Sequence, residues 1–80
     1  MTGRKERELG AFGRAVRQLR NQQRMSAGEL AAATGLGRWC LEGIEAGRLD
    51  VGYRVFRALA DGLCVPASVL LLRAEELEGR

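Results

Sequence analysis

The 80-residue sequence predicts an all-α domain of five helices. Pro66 is the only proline, and alanine, leucine, arginine and glutamate outnumber β-branched residues, so intrinsic preferences favour helix along nearly the whole chain. Glycines at the ends of the amphipathic segments supply the chain reversals between helices. The length suits one small core and excludes two.

The first helix is predicted over about residues 6–22. Apolar residues recur there at helical spacing, with arginines between them; the apolar positions are Leu9, Phe12, Val16 and Leu19. Gly10 and Gly13 are expected to weaken the beginning of this helix, because glycine is a poor helix former.

The second helix carries the strongest local signal. Ser26 followed by Glu29 forms the SxxE pattern of a capping box, which predicts that the helix begins at Ala27. Small and apolar residues continue to Thr34, and Gly35 suits the left-handed conformation that ends many helices. A helix of barely two turns is therefore expected.

Three further helices follow at short intervals. The third is predicted over residues 38–45, and Ala46 and Gly47 are expected to end it in the same glycine-capped style. After a short loop, the fourth is predicted over residues 53–62, where apolar side chains line one side. Pro66 suits the first position of a fifth helix that reaches about Leu77.

Composition narrows the classes of function. Histidine is absent, which removes the commonest general base, nucleophile activator and nitrogen ligand for metals. Cys40 and Cys64 cannot fill a four-ligand zinc site, and their apolar neighbours indicate buried thiols. Histidine-dependent catalysis and a structural metal site are excluded, no cofactor is implied, and no nucleophile, base and orienting group form an enzyme's cluster. Binding is the leading class that remains.

The charge is unevenly distributed along the chain. The net charge is +3, from 13 basic and 10 acidic residues, and 12 of the basic residues are arginine. Residues 1–24 carry a net +5 and residues 25–80 a net −2. The basic lobe fits a partner with a phosphate backbone; a solvated, charged helix face is the alternative.

Hydropathy predicts a cytoplasmic protein without a membrane partner. No segment is apolar over the roughly 18 residues that a membrane span requires. The N-terminus also lacks the apolar stretch of a secretory signal.

Residues 27–45 combine two short helices with a tight turn. Ala31 supplies a small side chain where the helices cross, Gly35 supplies the turn, and the apolar anchors are Leu30, Leu36, Leu41 and Ile44. In spacing and residue types this unit resembles the helix-turn-helix of the Cro/CI-type family, also called XRE-type. The resemblance extends over about residues 12–72, through Arg20, MSAGELAAATGL, IEAG and FRALADGLCV. It implies a lambda-repressor-like five-helix domain with the helix-turn-helix at helices 2 and 3.

The resemblance implies that helix 3 enters the major groove of duplex DNA and that its first turns contact base edges. The residues expected there are Arg38, Trp39, Glu42 and Gly43. Arg38 suits guanine O6 and N7, Trp39 a thymine methyl or a sugar, and Glu42 cytosine N4. The alternatives are that Arg38 contacts only phosphate, that Trp39 covers the core, and that Glu42 is a solvated carboxylate.

Phosphate contacts are expected at the amino end of helix 2, from the backbone amides of Ala27 and Gly28. By the resemblance, a second set lies along the DNA backbone after the reading helix; it consists of Arg48, Tyr53 and Arg54. Residues 1–8 form a basic arm, which either adds nonspecific attraction or serves as a solubilising tail. The resemblance also implies a structural ion pair between Arg20 and Glu45.

Helix 5 is more apolar than one face of a helix on a small core requires. The residues concerned are Val69, Leu70, Leu71, Leu72 and Leu77. They predict a homodimer joined through this helix, which would hold two reading helices one DNA turn, about 34 Å, apart on a palindromic site. The alternative is that these residues only complete the core of one monomer.

Three positions depart from the family pattern. Many relatives carry a long polar residue where Ala27 stands, serine or threonine where Gly37 stands, and a polar reading residue where Gly43 stands. Either DNA comes unusually close at Gly43, or base reading is modest and the domain also works through protein contacts.

The sequence therefore predicts a DNA-binding domain over residues 9–77, followed by a C-terminal tail at residues 78–80. Its expected function is that of a sequence-specific transcriptional regulator, and repression is expected in preference to activation. The alternative is a protein-interaction module on the same fold, an antitoxin or an accessory factor, whose helix 5 or Trp39 face binds another protein.

Overall fold

The computed structural model describes residues 3–79, and within that range it confirms the all-α, five-helix prediction. The helices are α1 (Arg4–Gln22), α2 (Ala27–Thr34), α3 (Arg38–Glu45), α4 (Tyr53–Gly62) and α5 (Ala67–Glu78). The bounds of α2, α3 and α4 are those expected from the sequence. Met1, Thr2 and Arg80, which belong to the predicted arm and tail, lie outside the described residues.

The starts of the first and last helices differ from the prediction. Helix α1 begins at Arg4, with Gly3 as its N-cap, so residues 4–8 of the expected basic arm are helical. Pro66 is the N-cap of α5 and not its first residue, because its ψ of 145° lies outside the helical region. Helix α5 therefore begins at Ala67.

The core lies where the helices meet, and each helix or its end contributes to it. The large, fully buried side chains are Val16, Leu30, Leu41, Ile44, Leu59, Leu63 and Leu70. Burying one such side chain contributes about 1.5–3 kcal/mol relative to leaving it exposed. Leu70 is thus a core residue, and its predicted place in a dimer interface is wrong; Leu77 is half-buried and packs against the same core.

Both cysteines are free thiols, but only one of them packs against the core. Cys40 is half-buried against the apolar cluster. Cys64 is exposed, so the expectation of a buried thiol is wrong at that position. It stands in the turn after α4 with a φ of +57°, a left-handed conformation that reverses the chain and leaves the side chain in solvent.

Within the described residues, no single helix is long and apolar enough to cross a membrane. Helices α4 and α5 together meet the length and composition criterion, but they are bent by 103° at the break between them.

Glycines permit close helix crossings at two points. A Cβ at Gly13 would lie 2.4 Å from the carbonyl oxygen of Ile44 and 2.6 Å from that of Glu45. A Cβ at Gly62 would lie 2.7 Å from Cγ2 of Thr34, where α4 passes α2. The sequence suggested only that Gly13 weakens α1. The structure shows that Gly13 also lets α1 pass directly over the end of α3.

The predicted pairing of Arg20 with Glu45 is present and joins α1 to α3. Arg20 Nε donates to Glu45 Oε2 at 2.7 Å and Nη2 donates to Oε1 at 3.0 Å, the two-pronged geometry in which such pairs are strongest. Arg20 Nη1 also donates to the carbonyl oxygen of Met25 at 2.9 Å, just before α2. Arg17 Nε lies 3.5 Å from Glu45 Oε1 on the solvent side.

Glu45 is buried, and its hydrogen bond is the main cause that raises the pKa of Arg20. Partial burial of Arg20 opposes this shift, and the negative charge of Glu45 adds to it. Within the described residues, neither group has another partner of equal geometry. The pair is a fixed link between helices.

Replacing Gly13 tests the close approach of α1 to α3. Gly13→Ala places a Cβ against two backbone carbonyls that cannot rotate away. We expect this clash to outweigh the helix-propensity gain of about 1 kcal/mol and to lower the free energy of unfolding in urea by roughly 1–3 kcal/mol.

Gly10→Ala is the matched control in the same helix, since a Cβ there meets only Arg14 Nη1, at 3.5 Å. It should raise the free energy of unfolding by up to about 1 kcal/mol. Equal stability of the two variants would contradict the close crossing.

Arginine substitutions separate the scaffold from the surface. Arg20→Ala leaves a buried carboxylate without its partner and should lower the free energy of unfolding by about 3 kcal/mol. Arg38→Ala removes only an exposed pair and should change it by less than about 0.5 kcal/mol. Thermal unfolding measures both, and equal melting temperatures would refute this division of roles.

Candidate nucleic-acid interface

Helices α2 and α3 are joined by a turn at residues 35–37. Gly35 has a φ of +75° and a ψ of 5°, the left-handed conformation predicted for it. The Thr34 hydroxyl donates to the Leu30 carbonyl at 2.9 Å and accepts from the Leu36 N–H at 3.3 Å, which satisfies polar groups at the end of α2. Leu36 packs against the core. The Thr34 hydrogen bonds and the packing of Leu36 thus fix the turn, and the turn determines the orientation of α3 relative to α2.

Three exposed side chains form the outer face of α3: Arg38, Trp39 and Glu42. Trp39 is 76% exposed, so it does not cover the core. Arg38 Nε donates to Glu42 Oε2 at 3.2 Å across one helical turn. Because Nε makes this bond, the Nη groups of Arg38 remain able to donate outward.

Gly43 does not belong to this face. It is buried, and a Cβ at this position would lie 2.7 Å from Cδ1 of Leu49, which folds back from the following loop. The expectation that Gly43 contacts bases is therefore wrong, and the packing of Leu49 accounts for the glycine. Helical periodicity could not identify this contact, because Leu49 lies outside the helix.

The amino end of α2 has a complete capping box. Ser26 Oγ accepts from the Glu29 N–H at 3.0 Å, and Glu29 Oε1 accepts from the Ser26 N–H at 2.7 Å. These bonds lower the pKa of Glu29, the backbone bond most, so the carboxylate is ionised at neutral pH. Ala27 and Gly28 are half-buried, and the first amides of a helix have no intrahelical partner. An anion bound there would lie beside the Glu29 charge.

A second basic cluster stands in the loop after α3 and at the start of α4. It contains Arg48, Tyr53 and Arg54, the residues predicted to contact phosphate, and all three are exposed. The sequence did not single out Arg57, whose Nη1 donates to the Tyr53 hydroxyl at 2.8 Å and whose guanidinium carbon lies 5.8 Å from the ring centroid. This bond raises the pKa of Arg57 and leaves the Tyr53 proton able to donate outward. The i, i+4 spacing of Tyr53 and Arg57 is the sequence signal that could have predicted this contact.

Helices α2 and α3, the turn between them and the basic cluster of Arg48, Tyr53 and Arg54 belong to one packed unit. Helix α2 packs against both α3 and α4, and Leu30 of α2 is fully buried between them in the core. The amino end of α2, the outer face of α3 and the start of α4 are therefore held on one scaffold.

Two basic residues of the expected arm form exposed ion pairs, one within the arm and one with the domain. Arg4 Nε lies 3.3 Å from Glu8 Oε2 within α1, and Lys5 Nζ lies 3.7 Å from Asp50 Oδ2 in the loop after α3. Both pairs are exposed, so they contribute little to stability. The Lys5–Asp50 pair places the first turn of α1 beside that loop.

A groove of about 620 Å³ lies between α1, the loop after α3 and α5. Its apolar lining includes Leu9, Phe12, Val51 and Leu71, and its charged rim consists of Lys5, Glu8, Asp50, Glu75 and Glu78. Because three separate elements line it, no local sequence pattern marked this groove. Leu71 also belongs to the predicted dimer surface, of which Val69 and Leu72 are likewise exposed on α5.

Comparison with known proteins gives a family and several structural relatives. The helix-turn-helix domain family matches residues 11–72. The restriction-modification controller protein C.AhdI from Aeromonas hydrophila is 32% identical, with a TM-score of 0.76 over 78% of this chain and 94% of its own. The clp gene regulator ClgR from Corynebacterium glutamicum is 25% identical, with a TM-score of 0.82 over 86% and 90% of the two chains.

A third relative shows the fold alone. The restriction-modification controller protein C.Esp1396I, solved as a tetramer with its natural 35-base-pair operator, is 19% identical, with a TM-score of 0.85 over 91% of this chain and 96% of its own. No curated protein gives a significant match.

The family match runs from within α1 to within α5 and includes the turn between α2 and α3. It agrees with the five helices, the left-handed Gly35 and the capping box at Ser26. The resemblance to Cro/CI-type proteins is thereby confirmed. The chain belongs to the helix-turn-helix domain family.

Proposed function

We propose that this chain is a transcriptional regulator that binds duplex DNA in a sequence-specific manner through the outer face of α3. The observation that carries the proposal is the exposure of Arg38, Trp39 and Glu42 on a helix whose other side is fixed in the core by Leu41 and Ile44. A helix held in this way suits the docking mode in which the second helix of a helix-turn-helix lies in the major groove. The relatives named as controller and regulator proteins support a regulatory role.

The outer face of α3 offers chemistry for base edges. The Nη groups of Arg38 suit guanine O6 and N7, and the indole of Trp39 suits the methyl group of thymine. Glu42 suits cytosine N4, and it also positions the Arg38 guanidinium through their hydrogen bond. Arg38 and Trp39 are the proposed specificity residues.

Contacts to the DNA backbone are assigned to the flanking elements. The proposed set consists of the amides of Ala27 and Gly28 and the side chains of Arg48, Tyr53 and Arg54. Arg57 supports this set by holding the Tyr53 ring and hydroxyl. The ionised Glu29 at the end of α2 opposes an anion there, so the side chains near α4 are expected to contribute more than the α2 amides.

The proposed regulator is a homodimer on a palindromic operator, joined through the exposed Val69, Leu71 and Leu72 of α5. A two-fold axis between two copies would repeat the α3 contacts at one DNA turn, about 34 Å. Repression is the proposed outcome, because occupation of an operator is enough to block transcription, whereas activation needs a further productive contact.

A selection from random duplexes, followed by affinity measurements over a range of salt concentrations, tests the function. We expect a palindromic consensus, and log affinity should fall linearly with log salt because bound phosphates release counterions. Arg38→Ala should cost about 1–3 kcal/mol and relax the preference at one base pair, whereas Arg54→Ala should weaken all duplexes equally and reduce the salt slope by about 1. Failure to enrich any sequence would refute the proposal.

The dimer surface is tested separately with Leu72→Glu, which changes an exposed side chain and should leave the fold of the monomer intact. Sedimentation should show a dimer for the original protein and a monomer for this variant. Affinity for the full palindrome should fall by more than tenfold while affinity for a half-site is unchanged, as expected when linkage is lost. Glu76→Gln, another exposed position of α5, is the control and should remain dimeric; a dimeric Leu72→Glu protein would exclude this surface.

A protein-interaction module is the second candidate function, and the groove between α1 and α5 favours it. The groove has an apolar lining and four rim carboxylates against one lysine, a combination that suits a basic, apolar protein segment. Such a module would bind its partner without duplex DNA. The salt-dependent duplex binding described above distinguishes the two candidates.

A further inference from the structure

Trp39 is a large apolar side chain that the fold does not use. Within the described part of the chain it is the most exposed of the large hydrophobic residues, and it has no ring or cation-π partner there. It is also absent from the hydrophobic residues that pack against the core. At position i+4 from it stands Gly43, which provides no side chain to cover the indole. The apolar area of Trp39 is therefore available to a partner of α3.

Arg38 and Trp39 are consecutive exposed residues of α3, so a molecule that binds this helix would meet both. Successive residues of a helix differ by about 100° in direction and 1.5 Å in rise. The Arg38–Glu42 hydrogen bond uses Nε, so the two Nη groups are the ones presented outward. Arg38 and Trp39 therefore offer a two-donor group and an apolar ring from consecutive positions of one exposed helix face, a pair suited to two neighbouring base pairs.

We infer that Arg38 and Trp39 together read a guanine next to a C5-methylated pyrimidine, with Trp39 as the residue that detects the methyl group; this inference rests on the proposed DNA-binding function. The C5 methyl is the one apolar group that a standard base pair presents in the major groove. Thymine carries it, and 5-methylcytosine carries the same group on the same ring atom. The oxygen Oε1 of Glu42 accepts no hydrogen bond within the described residues, and it is available to an exocyclic amino group such as that of 5-methylcytosine.

Base analogues test this inference on duplexes selected with the full chain. Each thymine of the selected half-site is replaced in turn by deoxyuridine, which lacks only the methyl group, and each cytosine by 5-methylcytosine. At one pyrimidine the methyl group should raise the affinity of the original protein about fourfold, the ratio that corresponds to burying one methylene-sized group. The guanine beside it is identified by 7-deazaguanine, which should weaken the original protein and leave Arg38→Ala unchanged.

The variants assign the effect to Trp39. Trp39→Ala should bind with no dependence on the methyl group, and Trp39→Phe should retain part of the dependence. Tyr53→Ala, which removes the other strongly exposed aromatic side chain, should weaken binding and keep the fourfold ratio. Thermal unfolding should be the same for both Trp39 variants and the original protein, because the side chain is outside the core.

The outcomes separate this inference from the function on which it rests. A methyl effect at thymine identifies ordinary sequence reading, and an effect at cytosine identifies reading of the methylation state; either supports the inference. Sequence-selective binding with no methyl effect at any position, or with the same effect in Trp39→Ala, would overturn it and leave the proposed function standing. Failure to select any duplex would overturn both.

Discussion

The buried carboxylate of Glu45 is the constraint on which the presentation of α3 depends. It is the last residue of α3, and Arg20 of α1 holds it through two hydrogen bonds while a third bond from the same guanidinium reaches Met25, just before α2. One side chain thus connects α1, the start of α2 and the end of α3. Gly13 lets α1 lie directly on the last carbonyls of α3, which keeps this connection short. Because a buried charge without its partner is costly, the arrangement has little freedom to shift.

The arginines of this chain divide into separate roles, and their positions explain more than the net charge does. Arg20 is almost enclosed and belongs to the scaffold, whereas Arg38, Arg48 and Arg54 are exposed on α3, the following loop and α4. Arg57 turns to the Tyr53 ring. A net charge of +3 is modest, yet three exposed arginines stand within the 17 residues from the start of α3 to the start of α4. In the proposed DNA complex, the placement of these arginines is expected to matter more than the overall charge.

Local signals in the sequence were sufficient to predict that five helices form and where the middle three begin and end, but not how the helices pack against one another. Ser26, Glu29 and Gly35 act within a few residues of their own position, so the bounds of α2 could be predicted. Gly43 could not be assigned correctly, because Leu49 from the following loop buries it. Leu70 could not be assigned correctly either, because its burial depends on how α5 packs into the core. The same non-local origin applies to the groove between α1 and α5. The resemblance supplied the partner of Arg20, which no local pattern specifies.

The single tryptophan of the chain provides the most direct measurement of the central claim, that the outer face of α3 meets DNA. Trp39 is 76% exposed in the free protein, so acrylamide should quench its fluorescence efficiently. On saturation with a selected duplex, the quenching constant should fall severalfold, because the indole becomes enclosed in the major groove. A saturated complex in which Trp39 remains as accessible to acrylamide as in the free protein would contradict the account.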